Sequence, residues 1–552
     1  MRATSIIATG IIGFMTAGCA TTPASHPALD LKIINGRIID GTGSPWYRGD
    51  VGVRGDTIVA IGDLSSARAS ATIDARDQVV SPGFIDLLGQ SQGSVMIDPH
   101  VEGKIRQGVT TEVTGEGHSP GPVGPGSTDD DTSTPNPKWK TLGEYFSVLE
   151  KNGSAVNFAF FVGASNPREI VIGNVNRPPT ASELLEMEGI IDQAMRDGAI
   201  GLSTSLIYLP AMFSTTEEII ALARVASRYG GVYFSHIRNE GDDISSALEE
   251  AFRIGREAKI PVNIWHLKVG GRPNWGRMPE VIARIQAARD SGLDVAANIY
   301  PYVASATSLS TLLPDWALEG GYATIHERFK DPVQRTKIVE ALKAQVAKRG
   351  EHGIYVSRIA NPDHKPYEKM YVDQIATAMA IDPAEALIRL FDENQSSPNV
   401  IFFSMNEDDV KYALKTPWVS VGADSGAVTP AGRAAGAGNH PRAYGTFPRV
   451  AGHYVRDEKL FTLEEAVRKM TSQAADRVHL LDRGILRPGM KADIIVFDPQ
   501  AIRDVSTYED VHHFSEGISD VVVNGTPVLS GGMMTVALPG RVLRGAGYRR
   551  EK

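Results

Sequence analysis

Two histidines and an aspartate end three apolar runs: Ser235-His236-Ile237-Arg238, Trp265-His266-Leu267-Lys268 and Gly422-Ala423-Asp424-Ser425-Gly426. Each run has the composition of a buried strand that stops where a polar residue enters. Side chains at neighbouring strand ends lie close together, so His236 and His266 can direct two imidazole nitrogens at one divalent ion, with a position left open for water. A lone histidine is more often a core residue; two at matching ends of adjacent runs read as a metal pair. Asp424 can take a proton from an activated water and return it to a leaving nitrogen. A third ligand is sought in Thr111-Glu112-Val113-Thr114-Gly115-Glu116-Gly117-His118, because carboxylate oxygen also binds zinc. Glu116 ranks first; Glu112, on the same face by alternation, and His118, just beyond, stay open as alternatives. Arg442, within His440-Pro441-Arg442-Ala443-Tyr444-Gly445-Thr446-Phe447-Pro448-Arg449, can grip a substrate carboxylate with two parallel hydrogen bonds. Arg168 and Tyr208, each just past the end of another apolar run, and Lys268, two residues after His266, are further candidates for substrate contact.

These residues need a frame that gathers strand ends. The centre of the chain alternates apolar runs with amphipathic stretches, the pattern of βα units. Eight strands are expected at Phe84–Gln90, Thr110–Glu116, Asn157–Ser165, Ala199–Leu206, Val232–Arg238, Val262–Val269, Asp294–Tyr302 and Val419–Ser425, with helices between them such as Ser182–Asp197, Thr216–Tyr229 and Ile244–Ala258. Eight units predict an α/β fold of the (β/α)8 TIM-barrel type over residues 82–482, with its site at the C-terminal strand ends. Residues 304–418 are expected to be an insertion, helical in part, that covers the barrel mouth. Short alternating runs separated by Gly/Asp turns occur at both chain ends, 28–81 and 483–552. They predict one small antiparallel β-sandwich built from the two ends.

The chain has 552 residues, a net charge of -9 and no basic run, which argues against a nucleic-acid partner. Its first residues differ from the rest. Arg2, an apolar stretch from Ile6 to Met15 and Thr16-Ala17-Gly18-Cys19 have the layout of an export signal with a lipobox over 1–19, too short to remain as a spanning helix. Cys19 is the only cysteine, so an internal disulfide is excluded. The expectation is an exported protein, periplasmic or membrane-anchored, touching the membrane only through a lipid on Cys19.

Together these motifs resemble the amidohydrolase superfamily and, within it, the N-acyl-D-amino-acid deacylases (D-aminoacylases). The resemblance runs through Ser81-Pro82-Gly83-Phe84-Ile85-Asp86, Gly108-Val109-Thr110-Thr111, Gly201-Leu202-Ser203-Thr204, Ser235-His236-Ile237-Arg238, His266-Leu267-Lys268, the His440–Arg449 stretch and Arg487-Pro488-Gly489-Met490-Lys491-Ala492-Asp493. It implies zinc-dependent hydrolysis of a small N-acyl-D-amino acid, with His236 and His266 as ligands, Asp424 as base and acid, and Arg442 on the substrate carboxylate. Two departures stand out. The first strand of the superfamily ends His-x-His, where this chain has Leu88 and Gln90, and Glu116-Gly117 occupies the region of the family's metal-binding cysteine. One ion is therefore expected, zinc or, given a carboxylate for a thiolate, manganese or another divalent metal. The alternatives are an amidase for another carboxylate-bearing amide, such as a modified dipeptide or an amide-containing toxin, and a barrel that has lost catalysis and serves as a binding protein. Ring opening of the hydantoinase type is disfavoured, because Ala199–Leu206 lacks the lysine those enzymes carboxylate.

Overall fold

The computed structural model describes residues 28–124, 139–394, 397–429 and 440–549. The expected signal segment with Cys19 lies outside them. No described helix is long and apolar enough to cross a membrane.

Parallel strands carry the centre of the molecule. We label them β1 (Phe84–Gly89), β2 (Val109–Thr114), β3 (Asn157–Phe160), β4 (Val162–Gly163), β5 (Gly201–Ser205), β6 (Val232–His236), β7 (Val262–Ile264), β8 (Val295–Ile299) and β9 (Val419–Val421). One parallel sheet runs β1-β2-β3 and a second runs β4-β5-β6-β7-β8-β9. The chain passes from β3 to β4 across Phe161 alone, and at the other side Gly89, ending β1, bridges in parallel to Ser425. Every strand lies within or one residue beyond its expected span, and most are shorter, because the chain leaves extended geometry just where polar residues begin.

The strands are buried on both faces, which explains their near-continuous apolar sequences. Between them Ile85, Leu87, Val113, Val232, Phe234 and Trp265 pack together. Phe161 stands 4.7 Å from Phe234 and 5.3 Å from Trp265, centroid to centroid. The Trp265 indole N–H, which would be costly to bury unpaired, donates to the Leu87 carbonyl at 3.0 Å. The helices between strands turn one apolar stripe inward. In Ala181–Asp197 the buried residues Met187, Ile191, Ala194 and Met195 recur at helical spacing, and Thr180 with Glu183 closes a capping box at its start.

Both chain ends meet in a nine-stranded sheet, joined where Ile494–Phe497 pairs antiparallel with Val79–Pro82. Leu31, Ile33, Val51, Val53, Ile494 and Val522 form its core. The sheet is mixed rather than antiparallel throughout: Leu29–Ile38 pairs in parallel with both Ala69–Asp74 and Val79–Pro82. The connection 39–68, which contains the hairpin Tyr47–Gly62, returns the chain in the same direction and allows this; the turn residues alone did not disclose it.

Residues 304–418 contain their own four-stranded antiparallel sheet, with strands Ser305–Ser308, Ile354–Arg358, Met370–Tyr371 and Asn399–Phe402. A separate apolar cluster, including Leu312, Ile325, Phe329, Ile338, Leu387 and Phe391, holds this segment together. The short strand Met370–Tyr371 runs directly into a helix over Val372–Met379.

Phe234 sits in the aromatic cluster between the strands and is fully buried. Phe234→Ala is expected to lower stability by about 3–5 kcal/mol through a residual cavity, read as a lower denaturation midpoint in urea.

Candidate active site

Three donor atoms converge at the C-terminal ends of β2, β6 and β7. Glu116 Oε1 lies 3.0 Å from His236 Nδ1 and 3.1 Å from His266 Nε2, and the two nitrogens are 2.9 Å apart. A tetrahedral ion with bonds of about 2.0–2.2 Å holds its ligand atoms roughly 3.3 Å apart. The observed triangle is only slightly tighter, and its donor set of two imidazoles and one carboxylate suits a divalent ion. The residues therefore fit a metal.

Local backbone geometry closes the triangle. His236 is the last residue of β6 and is held in register with Ser205 of β5. His266 follows β7 with φ +35°, a left-handed conformation unusual for a side chain of this size, which swings the imidazole inward. Its backbone N–H donates to the Asn298 side chain at 3.3 Å, so β8 supports the turn. Glu116 lies between Gly115 (φ +101°) and Gly117 (φ +68°). A Cβ at Gly117 would come within 2.4 Å of Ser205 Oγ, and one at Gly115 within 2.8 Å of the Phe161 carbonyl, so glycine is required at both places.

Behind the histidines stands a group that sequence reasoning missed. Glu240 Oε1 is 3.0 Å from His266 Nδ1, and its Oε2 is 3.4 Å from His236 Nε2. Glu240 thus sets a negative charge against the far side of both rings, nearer to His266 than to His236. Lys268 balances Glu240 at 2.6 Å and also lies 2.7 Å from His266 Nδ1. Glu240 falls in a polar loop four residues beyond His236, and nothing local marks it out.

Asp424, three residues past β9, also has a left-handed backbone, φ +52°. Its N–H donates to the Leu88 carbonyl at 2.8 Å. Asp86 secures the same turn from below: its Oδ1 accepts from the N–H groups of Leu88 and Ala423, and its Oδ2 holds the fully buried Lys104 ammonium at 2.7 Å. Burial pushes the Asp424 carboxyl above its ordinary range, against the opposing pull of Arg442 and His266. Its Oδ1 accepts from Gln90 Nε2 at 3.1 Å, and the same amide donates to Glu116 Oε2 at 2.9 Å. Asp424 Oδ2 is 2.7 Å from Arg442 Nη1, an ion pair without an aligned hydrogen bond.

Arg442 opens the helix Arg442–Arg449, and its backbone N–H donates to His440 Nδ1. His440 Nε2 in turn faces the Ala304 carbonyl at 2.9 Å, so this imidazole carries its proton on Nε2 and is neutral. Burial, with Arg442 adjoining, keeps His440 well below the usual histidine range. The guanidinium lies 4.7 Å over the Tyr300 ring, and the Lys268 ammonium is 5.8 Å from the same ring. Two cations thus lie close to one aromatic ring. The Tyr208 ring packs edge-on to His236 at 5.4 Å, and its hydroxyl is 2.7 Å from Thr307 Oγ1 of the inserted segment.

Three sequence candidates lie elsewhere. Glu112 does not join the triangle: it accepts from Ser91 N and Ser91 Oγ, both at 2.7 Å. His118 pairs with Glu169 at 3.8 Å. Arg168 is fully buried, and its guanidinium is committed to Glu218 and to the Val175 and Arg177 carbonyls, so it is held as a structural cation rather than turned to the cluster.

The sequence profile described as "Amidohydrolase family" matches residues 71–529. The chain belongs to this family. Within it, the chain is 37% identical to a D-aminoacylase of Alcaligenes xylosoxydans xylosoxydans, over 93% of this chain and 97% of that one. The crystal structure of an N-acyl-D-glutamate deacylase from Bordetella bronchiseptica, complexed with zinc and a phosphonate mimic of the tetrahedral intermediate, superposes with a TM-score of 0.80 at 34% identity, covering 94% of this chain and all of that one. A D-aminoacylase structure from work on a binuclear centre, with one-metal activation and second-metal attenuation, gives 0.79 at 35% identity over the same coverage. This amidohydrolase is therefore similar to the N-acyl-D-amino-acid deacylases over nearly all of their length, as its motifs implied.

Without an ion, protons occupy the cluster. Burial and Lys268 disfavour a charged His266, but Glu240, Asp424 and Glu116 outweigh them and push it up to about 9. A raised histidine stabilises the metal-free fold fully below its unfolded value of about 6.5 and loses that contribution as pH rises through about 9. Metal needs the neutral ring. Uptake of zinc at pH 7 should release about one proton from His266, and affinity should climb with pH until about 9. Calorimetry in buffers of different ionisation enthalpy measures this; zero proton release would contradict it.

Proposed function

We propose that this protein is a divalent-metal-dependent deacylase that hydrolyses the amide of a small N-acyl amino acid, of D configuration. The observation that carries this reading is the Glu116–His236–His266 triangle set against the Asp424–Arg442 ion pair. The relatives, named for N-acyl-D-glutamate and D-amino-acid substrates, support the D configuration. Glu116, His236 and His266 would hold one ion, zinc in the first place, with manganese or another divalent ion as alternatives. Such an ion would supply Lewis-acid polarisation of the amide carbonyl and activation of a water. The strand order supports a single eight-stranded (β/α)8 barrel, with β3 and β4 as one staves' worth of chain and closure at Gly89–Ser425. In this reading the terminal sheet is the small β-sandwich domain, with 28–81 and 483–552 as its halves and 304–418 as the cover of the mouth.

The protein's own residues do the following. Arg442, with Lys268 across the Tyr300 ring, meets the substrate carboxylate by a charge-assisted fork. Gripping it draws the guanidinium away from Asp424 Oδ2, which is then free to accept a proton. Water attacks the acyl carbon as its proton passes to Asp424. The C–N bond breaks when Asp424 returns that proton to the departing amine, giving a carboxylic acid and a free amino acid. Tyr208, beside His236, borders the acyl group.

Asp424→Asn should cut kcat by about 100-fold or more while metal content stays unchanged, since a general base contributes roughly 10²–10⁴-fold. Arg442→Lys should raise KM for N-acetyl-D-amino acids more than it lowers kcat, because the two-pronged contact is lost. A screen of N-acetyl-D- and L-amino acids, with and without zinc or manganese, decides the reading: a protein that binds no metal and hydrolyses none of them would instead be a binding protein.

The N-terminal reading is a separate proposal carried by sequence alone: an exported lipoprotein anchored through Cys19. Radiolabelled palmitate should enter the full-length chain expressed in a bacterium and should be absent from Cys19→Ala; equal labelling of both would refute the anchor.

A further inference from the structure

Gln90 stands where the first strand of the superfamily ends in histidine, and its contacts give it a role. Its Nε2 lies 2.9 Å from Glu116 Oε2 and 3.1 Å from Asp424 Oδ1. A primary amide nitrogen carries two hydrogens, and here each meets one carboxylate oxygen. The reverse orientation would set the amide oxygen against two anionic oxygens, so the network itself fixes which end points inward. The backbone holds the register: Gln90 N–H donates to the Ser425 carbonyl at 3.1 Å, and Asp424 N–H donates to the Leu88 carbonyl at 2.8 Å. The four carboxylate oxygens are therefore divided. Glu116 Oε1 faces both histidines, Glu116 Oε2 and Asp424 Oδ1 face Gln90, and Asp424 Oδ2 faces Arg442.

Two carboxylate oxygens converging on one point are an environment made for a cation. In this chain a neutral amide fills the point. We propose that Gln90 is a positioning residue whose side-chain amide takes the place of a second divalent cation between Glu116 and Asp424. It stands in for that ion and fixes Asp424 by Oδ1, so that only Oδ2 is left to accept the reacting proton once Arg442 withdraws. The inference rests on the metal-dependent reading above and goes beyond it in assigning what replaces the missing histidines.

The test is a zinc titration of the full-length, metal-stripped protein against a chromophoric chelator. A His236→Ala/His266→Ala variant titrated alongside subtracts any ion held elsewhere. The wild type should take up one equivalent at this site. Gln90→Glu, which replaces the two amide hydrogens by a third converging carboxylate, should take up two. Gln90→Met, similar in length but without donors, should keep a single equivalent and stay folded, with a melting temperature lower by a few degrees at most. It should lose about 10–100-fold in kcat, the range seen when an orienting partner of a metal site is removed, with KM within about twofold. Two equivalents in the wild type would overturn the proposal, even if neither variant folded. So would a single equivalent in folded Gln90→Glu, or full kcat in Gln90→Met. A wild type that binds no zinc at this site removes the metal-dependent reading itself, whereas an active one-ion wild type with an indifferent Gln90→Met removes only the role of Gln90.

Discussion

Glu116 is the side chain on which the rest of the site depends. One of its oxygens closes a triangle with two imidazole nitrogens; the other reaches, through Gln90, to the aspartate on the far side of the strand ends. Burial alone would neutralise such a carboxylate, but hydrogen bonds and charge from His236 and His266 hold it well below the ordinary carboxylate range. A buried anion that stays ionised must be answered by cations or donors from every side. Around Glu116 those are two histidines and an amide; around its neighbour Glu240, the same histidines and Lys268.

The cost of this convergence is taken up by the backbone. His266 and Asp424 both adopt left-handed conformations immediately after short strands, and Glu116 stands between two glycines that do the same. Such conformations persist only where neighbours over-determine them. Here the neighbours are identifiable. Asn298 holds the His266 turn, and Asp86 with Lys104 holds the turn before Asp424. The Asp86 of the first-strand motif thus works for a residue more than three hundred positions away, which explains a carboxylate embedded in an otherwise apolar strand.

Much of this was legible in the sequence. Apolar runs ending in His236, His266 and Asp424 located the strands and the site together, because a parallel strand buried on both faces has one signature and its polar terminus another. Alternation did not separate Glu116 from Glu112; the structure does, because two glycines take Glu116 out of the strand, while Glu112 stays within it and turns to Ser91. What stayed hidden were groups whose importance lies in tertiary distance. Glu240 sits in an ordinary polar loop, and Arg168 has the composition of a site residue but is consumed by Glu218. The parallel pairings in the terminal sheet depend on crossovers that leave no short-range mark.

The inserted segment reaches the Arg442 region largely through main-chain atoms: the Ala304 carbonyl meets His440, and the Ala306 carbonyl accepts from Arg442 at 3.3 Å. A carbonyl is supplied by any residue. The segment has its own apolar core, so its side chains can drift through substitution while the grip on Arg442 survives. Insertions or deletions between β8 and Ser305 cannot be absorbed in this way, because they would move those two carbonyls. Within this architecture, then, residues 304–418 are free to diversify by point mutation, while the length of the connection leading into them is constrained.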